Sequence, residues 1–182
     1  MELADPLVAR LRERDATALE ALLQHHGREI QAVAFLILRN EHDAEEILAD
    51  TLLVAWRKID SLRDPSRLRP WLLTTATRLA LRRRGRMRRP VIVSLAEASE
   101  VATTESSPVD RVRLRQAIDA LPPRMRAVLA LHDVADLPLP DVAAALGRSE
   151  NTVKSQLREA RARLRVALAD ERPRARRAEE SR

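Results

Sequence analysis

Two helical patterns that meet at a single glycine constrain the fold of this chain more than any other feature. Apolar residues recur at helical spacing over 141–146 and again over 153–168. Gly147 stands between the two runs, where the first helix must end in a left-handed residue, and glycine adopts that conformation without steric cost. Ser149 then stands where it can cap a second helix, and small Ala143 lets the two helices approach. The pattern predicts a tight two-helix corner.

The exposed face of the second corner helix is polar and basic. It offers hydrogen-bond donors and cations that can reach base edges and phosphates in the major groove of DNA. The alternative is a helical hairpin with a solvated charged face. The glycine, the cap and the positive charge together favour a recognition helix over that alternative. The candidate DNA contacts are Ser149, Thr152, Lys154, Ser155, Arg158 and Arg161.

The remaining sequence predicts an all-α fold of two small helical domains. Three glycines, 2% aromatic residues and no run rich in Val, Ile, Thr and Tyr argue against a sheet. Apolar residues recur at helical spacing in several blocks, and residues 91–108 carry no basic side chain and too little apolar surface to order themselves. We expect a first domain over residues 7–90, a flexible acidic linker over 91–109, a second domain over 110–169 and a charged tail over 170–182.

Two details of the first domain are open to test. Apolar residues over 15–37 predict either one helix or two helices that break near Gly27. Asp43 and Glu46 stand at capping-box spacing, with Asp in the Ser/Thr position, and predict that the next helix starts at Asp43.

Charge is segregated along the chain. Residues 1–60 hold seven basic and twelve acidic residues, whereas residues 61–90 hold ten basic residues and one acidic residue. The basic block ends in seven arginines that have no acidic partner nearby in sequence. Such a stripe predicts contact with a polyanion, because each phosphate contacted releases counterions. The arginines are Arg78, Arg82, Arg83, Arg84, Arg86, Arg88 and Arg89.

The sequence carries no pattern typical of catalysis or metal binding. It has no cysteine, and its four histidines show no ligand spacing. There is no glycine-rich phosphate loop and no Gly-x-Ser-x-Gly elbow. No stretch reaches membrane length, and the first residues lack the apolar run of a signal peptide. We therefore expect a non-catalytic cytoplasmic protein without cofactor, metal or membrane contact.

Two segments of the chain resemble the extracytoplasmic-function sigma factors of bacterial RNA polymerase. Residues 43–56, Trp71-Leu72 and the arginine run resemble region two of that family. Residues 120–129 and the run Thr152-Val153-Lys154-Ser155 resemble its region four. The resemblance implies a subunit that binds core RNA polymerase and promoter DNA and directs transcription initiation, with an anti-sigma factor as a further partner that the family allows.

The resemblance also implies roles for individual residues. Glu46 and Asp50 fall where the family contacts core polymerase, and the loop over 61–69 falls where a minus-ten base is captured. Lys154, Ser155 and Arg158 fall where region four reads the minus-thirty-five element. The apolar stripes around Trp56 and Trp71, in contrast, favour core positions for both rings. The implied minus-ten set is Arg67, Arg69, Trp71, Arg78, Arg82, Arg83 and Arg86.

Some positions depart from the family pattern. Arg78 and Arg82 stand where the family usually has Asn and Asp, which raises affinity for the DNA backbone. Ala49 replaces a common Gln, and Leu68 replaces a common aromatic residue.

Two other functions stay open from the residues alone. One is a stand-alone helix-turn-helix regulator that binds duplex DNA without polymerase, and the other is an adaptor that only titrates another protein.

Overall fold

The computed structural model describes residues 4–86 and 108–169, and every regular element in these two ranges is helical. This confirms the predicted fold class. The predicted tail, most of the predicted linker, and Arg88 and Arg89 lie outside the described residues. The α-helices are α1 (Ala4–Arg12), α2 (Thr17–Leu38), α3 (Glu41–Lys58), α4 (Leu68–Arg86), α5 (Pro108–Asp119), α6 (Pro123–Leu129), α7 (Leu139–Leu146) and α8 (Glu150–Ala169).

Helices α1 to α4 form the first unit, in which α2, α3 and α4 pack against one another. The helix α2 runs through Gly27 without a break, so the alternative of two shorter helices is wrong. Gly27 is buried, and a Cβ atom there would lie 2.8 Å from Leu23 Cδ1. Gly27 therefore lies inside a continuous helix and not at a chain reversal.

Helix α3 begins at Glu41, two residues before the predicted start at Asp43. Asn40 is the cap, because its side-chain oxygen accepts a hydrogen bond from the Asp43 backbone nitrogen at 2.9 Å. The Asp43 carboxylate is instead engaged by Arg83 of α4. The predicted capping box is therefore wrong, and the acidic residue that suggested it belongs to a contact between helices.

Helices α5 to α8 form the second unit. Pro123 opens α6, where its missing N–H costs nothing, and a π-helical turn at Ala130–Val134 leads towards α7. Leu121, Val128 and Leu131 are almost fully buried. Within α5, Ala117 near the C-terminal end is 8% exposed, whereas Val112 near the start is 51% exposed. Helix α5 therefore contributes its C-terminal end to the core more than its start.

The two units pack against each other, with α2 against α6 and α4 against α7. The buried apolar side chains of both units form one continuous cluster. Trp56 and Trp71 are half-buried and pack against this cluster, so both rings lie at the edge of the core. The physical consequence is that the face of α4 next to α7 is covered by the second unit.

Within the described ranges, no helix is both long and apolar enough to cross a membrane.

Candidate nucleic-acid interface

The predicted two-helix corner is formed by α7 and α8. Gly147 has φ 61° and ψ 43°, the left-handed conformation that ends α7. The hydroxyl oxygen of Ser149 accepts a hydrogen bond from the Thr152 backbone nitrogen at 3.2 Å, as expected of a cap. Val142 and Val153 are fully buried and hold the two helices together. The local prediction is confirmed in each of these parts.

The outward face of α8 is a basic surface. Lys154, Ser155 and Arg158 are exposed, and Lys154, Arg158, Arg161 and Arg165 line one shallow groove. At 100° per residue these four cations lie within about 60° of one another around the helix axis. A narrow, exposed stripe of cations on a helix that follows a tight corner has the geometry required to enter a DNA groove.

Two of the candidate contacts on α8 already have protein partners. Thr152 lies with its hydroxyl 2.9 Å from that of Ser149. Arg161 donates from Nε to Oδ2 of Asp133 at 3.1 Å, and this hydrogen bond raises the pKa of Arg161. Arg161 is therefore held in one orientation by the π-helical turn, beside the freely exposed Lys154 and Arg158.

The arginine run of α4 is divided between solvent and ion pairs. Arg82 and Arg86 are exposed, and neither side chain has a hydrogen bond or ion pair within residues 4–86 and 108–169. Arg83 instead forms ion pairs with Asp43 and Glu46 of α3. Burial opposes the charge of Arg83, but the hydrogen bonds to Glu46 and Asp43 outweigh it and raise the pKa of Arg83. Arg83, which was predicted to bind DNA, is thus paired with Glu46, which was predicted to bind polymerase.

Three other residues of the predicted minus-ten set contact the second unit. Arg67 forms a hydrogen-bonded ion pair with Asp141, and the hydrogen bond raises the pKa of Arg67. Arg69 pairs with Glu29 of α2, and its Nη2 also donates to the backbone oxygen of Ala135. Arg78 donates to backbone oxygens at the end of α7. The sequence suggested cations exposed to DNA, and the fold brings these three against protein partners.

The predicted polymerase-binding residues lie on an exposed face of α3. Asp50 is exposed, and Glu46 is half-exposed with His42 Nε2 3.1 Å from its carboxylate. Leu53 is one helical turn further along the same face and is 48% exposed. Leu53, Asp50 and Glu46 therefore share one exposed face of α3. Sequence reasoning did not single out Leu53, although helical spacing places it outside the buried stripe of α3 formed by Ile47, Thr51 and Ala55.

Sequence reasoning also missed the most buried cation among the side chains that the structure describes. Arg126 is 2% exposed and donates to three backbone oxygens, those of Ile37, Asp119 and Leu121. Burial, reinforced by the nearby Arg84 and Arg39 guanidinium groups, lowers the pKa of Arg126 to about 10. A detectable signal was present, because Arg126 is the single charged residue in the apolar run over 125–131.

No group of three or more His, Cys, Asp or Glu side chains in the described part of the chain could hold a metal ion.

Family models match both units of the chain. The model of Sigma-70 region 2 matches residues 22–89, and the model of Sigma-70, region 4 matches residues 111–164. The first match contains α3 and α4 with the arginine run, and the second contains the α7–α8 corner. Each match therefore covers one of the two surfaces described above.

Several curated proteins are similar in sequence. The ECF RNA polymerase sigma factor SigM of Mycobacterium tuberculosis is 30% identical over 150 residues, which cover 82% of this chain and 76% of SigM. SigE of Mycolicibacterium smegmatis is 29% identical over 161 residues, covering 82% of this chain and 61% of SigE. SigG of Mycobacterium tuberculosis is 33% identical, but the match spans only 45% of its length. The chain thus spans less than two thirds of SigE and SigG.

Two solved structures are similar in fold. CnrH, in complex with the cytosolic domain of CnrY, is 25% identical with a TM-score of 0.66, and the match covers 91% of this chain and 96% of CnrH. The sigma factor RpoE, in complex with the anti-sigma factor NepR from Bartonella quintana, is 27% identical with a TM-score of 0.66. That match covers 84% of this chain and 97% of RpoE.

Proposed function

Because this chain belongs to the extracytoplasmic-function sigma factors of RNA polymerase, we propose that it binds core polymerase and directs transcription initiation at selected promoters. In this role it acts in the cytoplasm and performs no chemistry itself. An anti-sigma factor is a proposed further partner, since RpoE was solved in complex with one. The observation that carries the proposal is the stripe of exposed cations on α8, directly after the Gly147 corner.

The second unit reads the minus-thirty-five element in this proposal. Lys154, Ser155 and Arg158 face solvent on α8 and are free to contact base edges and phosphates. Thr152, Ser149 and Arg161 flank them and are held by their hydrogen bonds, so that they position the helix against the DNA backbone. Sequence reading therefore depends mainly on the first group.

The first unit serves two partners. Asp50, Leu53 and Glu46 form the proposed docking surface for core polymerase, with Leu53 as its apolar centre. Arg82 and Arg86 form the freely exposed part of the minus-ten surface. The rest of that proposed surface consists of Arg67, Arg69, Trp71, Arg78 and Arg83, whose side chains have protein partners or are half-buried in the free chain.

The first experiment is run-off transcription with core polymerase on a genomic library, which identifies the promoters that the chain selects. On such a promoter we expect Arg158→Ala to lower transcription about tenfold, because one base or phosphate contact contributes about 1–3 kcal/mol. Arg163→Ala is the matched control. Arg163 is also an exposed arginine of α8, but it lies about 180° around the helix from Lys154 and pairs with Glu159.

Equal losses in the two variants would remove α8 from the proposed DNA interface.

A second measurement separates a sigma factor from a stand-alone regulator. A sigma factor binds promoter DNA tightly only together with core polymerase, so tight sequence-specific binding by the purified chain alone would contradict the proposal. We also expect Leu53→Ser to weaken binding to core polymerase in gel filtration, since it removes the apolar centre of the docking surface without changing charge.

A further inference from the structure

We propose that a cleft between the end of α4 and the α7–α8 corner binds one nucleoside polyphosphate, with the phosphates on arginines and the base on apolar side chains. The cleft has a volume of about 490 Å³ and is partly open to solvent. A cavity of a few hundred cubic ångströms is of the size that holds a small molecule, and it is too small for a DNA duplex. The cleft is therefore a candidate site for a small ligand, separate from the surfaces proposed for DNA and polymerase.

Three arginines line the cleft. Arg84 lies near the end of α4, Arg124 lies in the first turn of α6, and Arg148 directly follows the glycine of the corner. Arg124 and Arg148 are exposed, and Arg84 is half-buried. In the described part of the chain, these three side chains make no hydrogen bond or ion pair. None of the residues that line the cleft is acidic, so the three charges remain available for an anion.

The charge of Arg84 already acts on its surroundings. Burial lowers the pKa of Arg126 to about 10, and repulsion from the Arg84 guanidinium group contributes to that shift. An anion bound beside Arg84 would relieve this repulsion between like charges. The forked donors of a guanidinium group match the oxygens of a phosphate group. Three such groups around one small cleft fit a ligand that carries several negative charges.

The cleft lies away from the proposed DNA contacts on both helices that it shares with them. At 100° per residue, Arg84 lies about 160° around α4 from Arg82, which faces solvent. Gln156, which lines the cleft from α8, lies about 160° around that helix from Lys154. The arginine run of α4 thus supplies two different surfaces, and Arg84 belongs to the cleft.

The rest of the lining suits a nucleobase. Four apolar side chains line the cleft, namely Leu81, Pro122, Pro123 and Leu146. An aromatic ring can pack against them, and the amide of Gln156 can both donate to and accept from the edge of a base. A sugar phosphate lacks an apolar body, and a fatty acid carries only one charge. A nucleoside polyphosphate has a partner for both parts of the cleft.

The test is isothermal titration calorimetry of the purified, full-length chain with ATP and with GTP. We expect the tighter of the two to bind once per chain. Tripolyphosphate lacks the base and adenosine lacks the phosphates, so each should bind about tenfold or more weakly than that nucleotide. If neither nucleotide gave saturable binding, the site would be refuted. Equally tight binding of tripolyphosphate or of adenosine would refute the proposed ligand class.

Substitutions locate the binding in the cleft. Arg84→Ala and Arg148→Ala should each weaken nucleotide binding about tenfold, because each removes a charge-assisted hydrogen bond. Arg82→Ala is the matched control, since it removes the same charge two residues away on the other side of α4 and should change the affinity by less than about twofold. Equal losses in Arg82→Ala and Arg84→Ala would indicate general attraction to a basic chain and would overturn the proposal.

Gly85→Leu tests the shape of the cleft without changing its charge. Gly85 lines the cleft, and a Cβ atom placed there would meet no atom within 4 Å. The chain should therefore fold with leucine at this position, while the added side chain takes up part of the cleft and weakens nucleotide binding about tenfold. Circular dichroism confirms that each variant is folded. Unchanged affinity in folded Gly85→Leu, Arg84→Ala and Arg148→Ala would place the nucleotide elsewhere and refute the site.

The cleft does not depend on the proposed function, because binding is measured without polymerase or promoter DNA. Run-off transcription by a chain that binds neither nucleotide would leave the function intact and refute the site. Saturable binding that responds to Arg84→Ala, in a chain that supports no transcription, would establish the site and contradict the function.

Discussion

The substitution Arg126→Met tests how much of the fold depends on one buried cation. Methionine has a similar volume and fills the space, but it cannot donate hydrogen bonds. The oxygens of Ile37, Asp119 and Leu121 would lose the donors that Arg126 gives them at 2.8–3.2 Å. A buried carbonyl group left without a hydrogen-bond donor lowers the free energy of unfolding by about 1–3 kcal/mol. Removal of the buried charge, which is itself unfavourable, offsets part of that loss. We expect the free energy of unfolding to fall by about 3–5 kcal/mol.

The measurement is urea unfolding, followed by the fluorescence of Trp56 and Trp71, which both belong to the first unit. Arg126 bonds the end of α2 as well as the end of α5, so its loss should also reduce the coupling between the two units. Arg124→Met is the matched control, since Arg124 is exposed and should change stability by less than about 0.5 kcal/mol. A loss below about 1 kcal/mol for Arg126→Met would refute the reasoning that the three oxygens depend on it.

Three further predictions concern local structure and pH. Gly147→Ala should lower the free energy of unfolding by about 1–2 kcal/mol in urea titrations, because φ is 61° there; Gly85→Ala, in a helix with open space around it, should not lower it. Asn40→Ala should lower the thermal midpoint, since the cap of α3 contributes about 1 kcal/mol. Burial lowers the pKa of His26 below 6.5, so the unfolded chain takes up the proton at a higher pH than the folded chain does. The free energy of unfolding should therefore fall as the pH drops below 6.5. His26→Gln should make the free energy of unfolding depend less on pH in this range.

The sequence determined the parts of this protein whose causes are local. The left-handed turn at Gly147 and the cap at Ser149 need only the residue types and their spacing, and both are present as predicted. The apolar periodicity likewise indicated helices from residue 15 onwards, because the buried positions of a helix recur every three to four residues, but it did not predict α1 (Ala4–Arg12). The cap of α3 was the local feature that the sequence left ambiguous. Asn40 and Asp43 are both good caps; in the structure Asn40 takes that role, while the Asp43 carboxylate pairs with Arg83, forty residues away.

Only the tertiary structure decided which arginines are free. Arg78 and Arg82 lie four positions apart on one helix and look equivalent in the sequence, yet Arg78 caps α7 and Arg82 faces solvent. Likewise Arg124 and Arg126 differ by two positions, and one is exposed while the other is buried beneath two helix ends. A long, flexible cation takes the partner that packing brings within its reach. Charge and spacing along the chain contain no information about carbonyl groups on a helix more than sixty residues away.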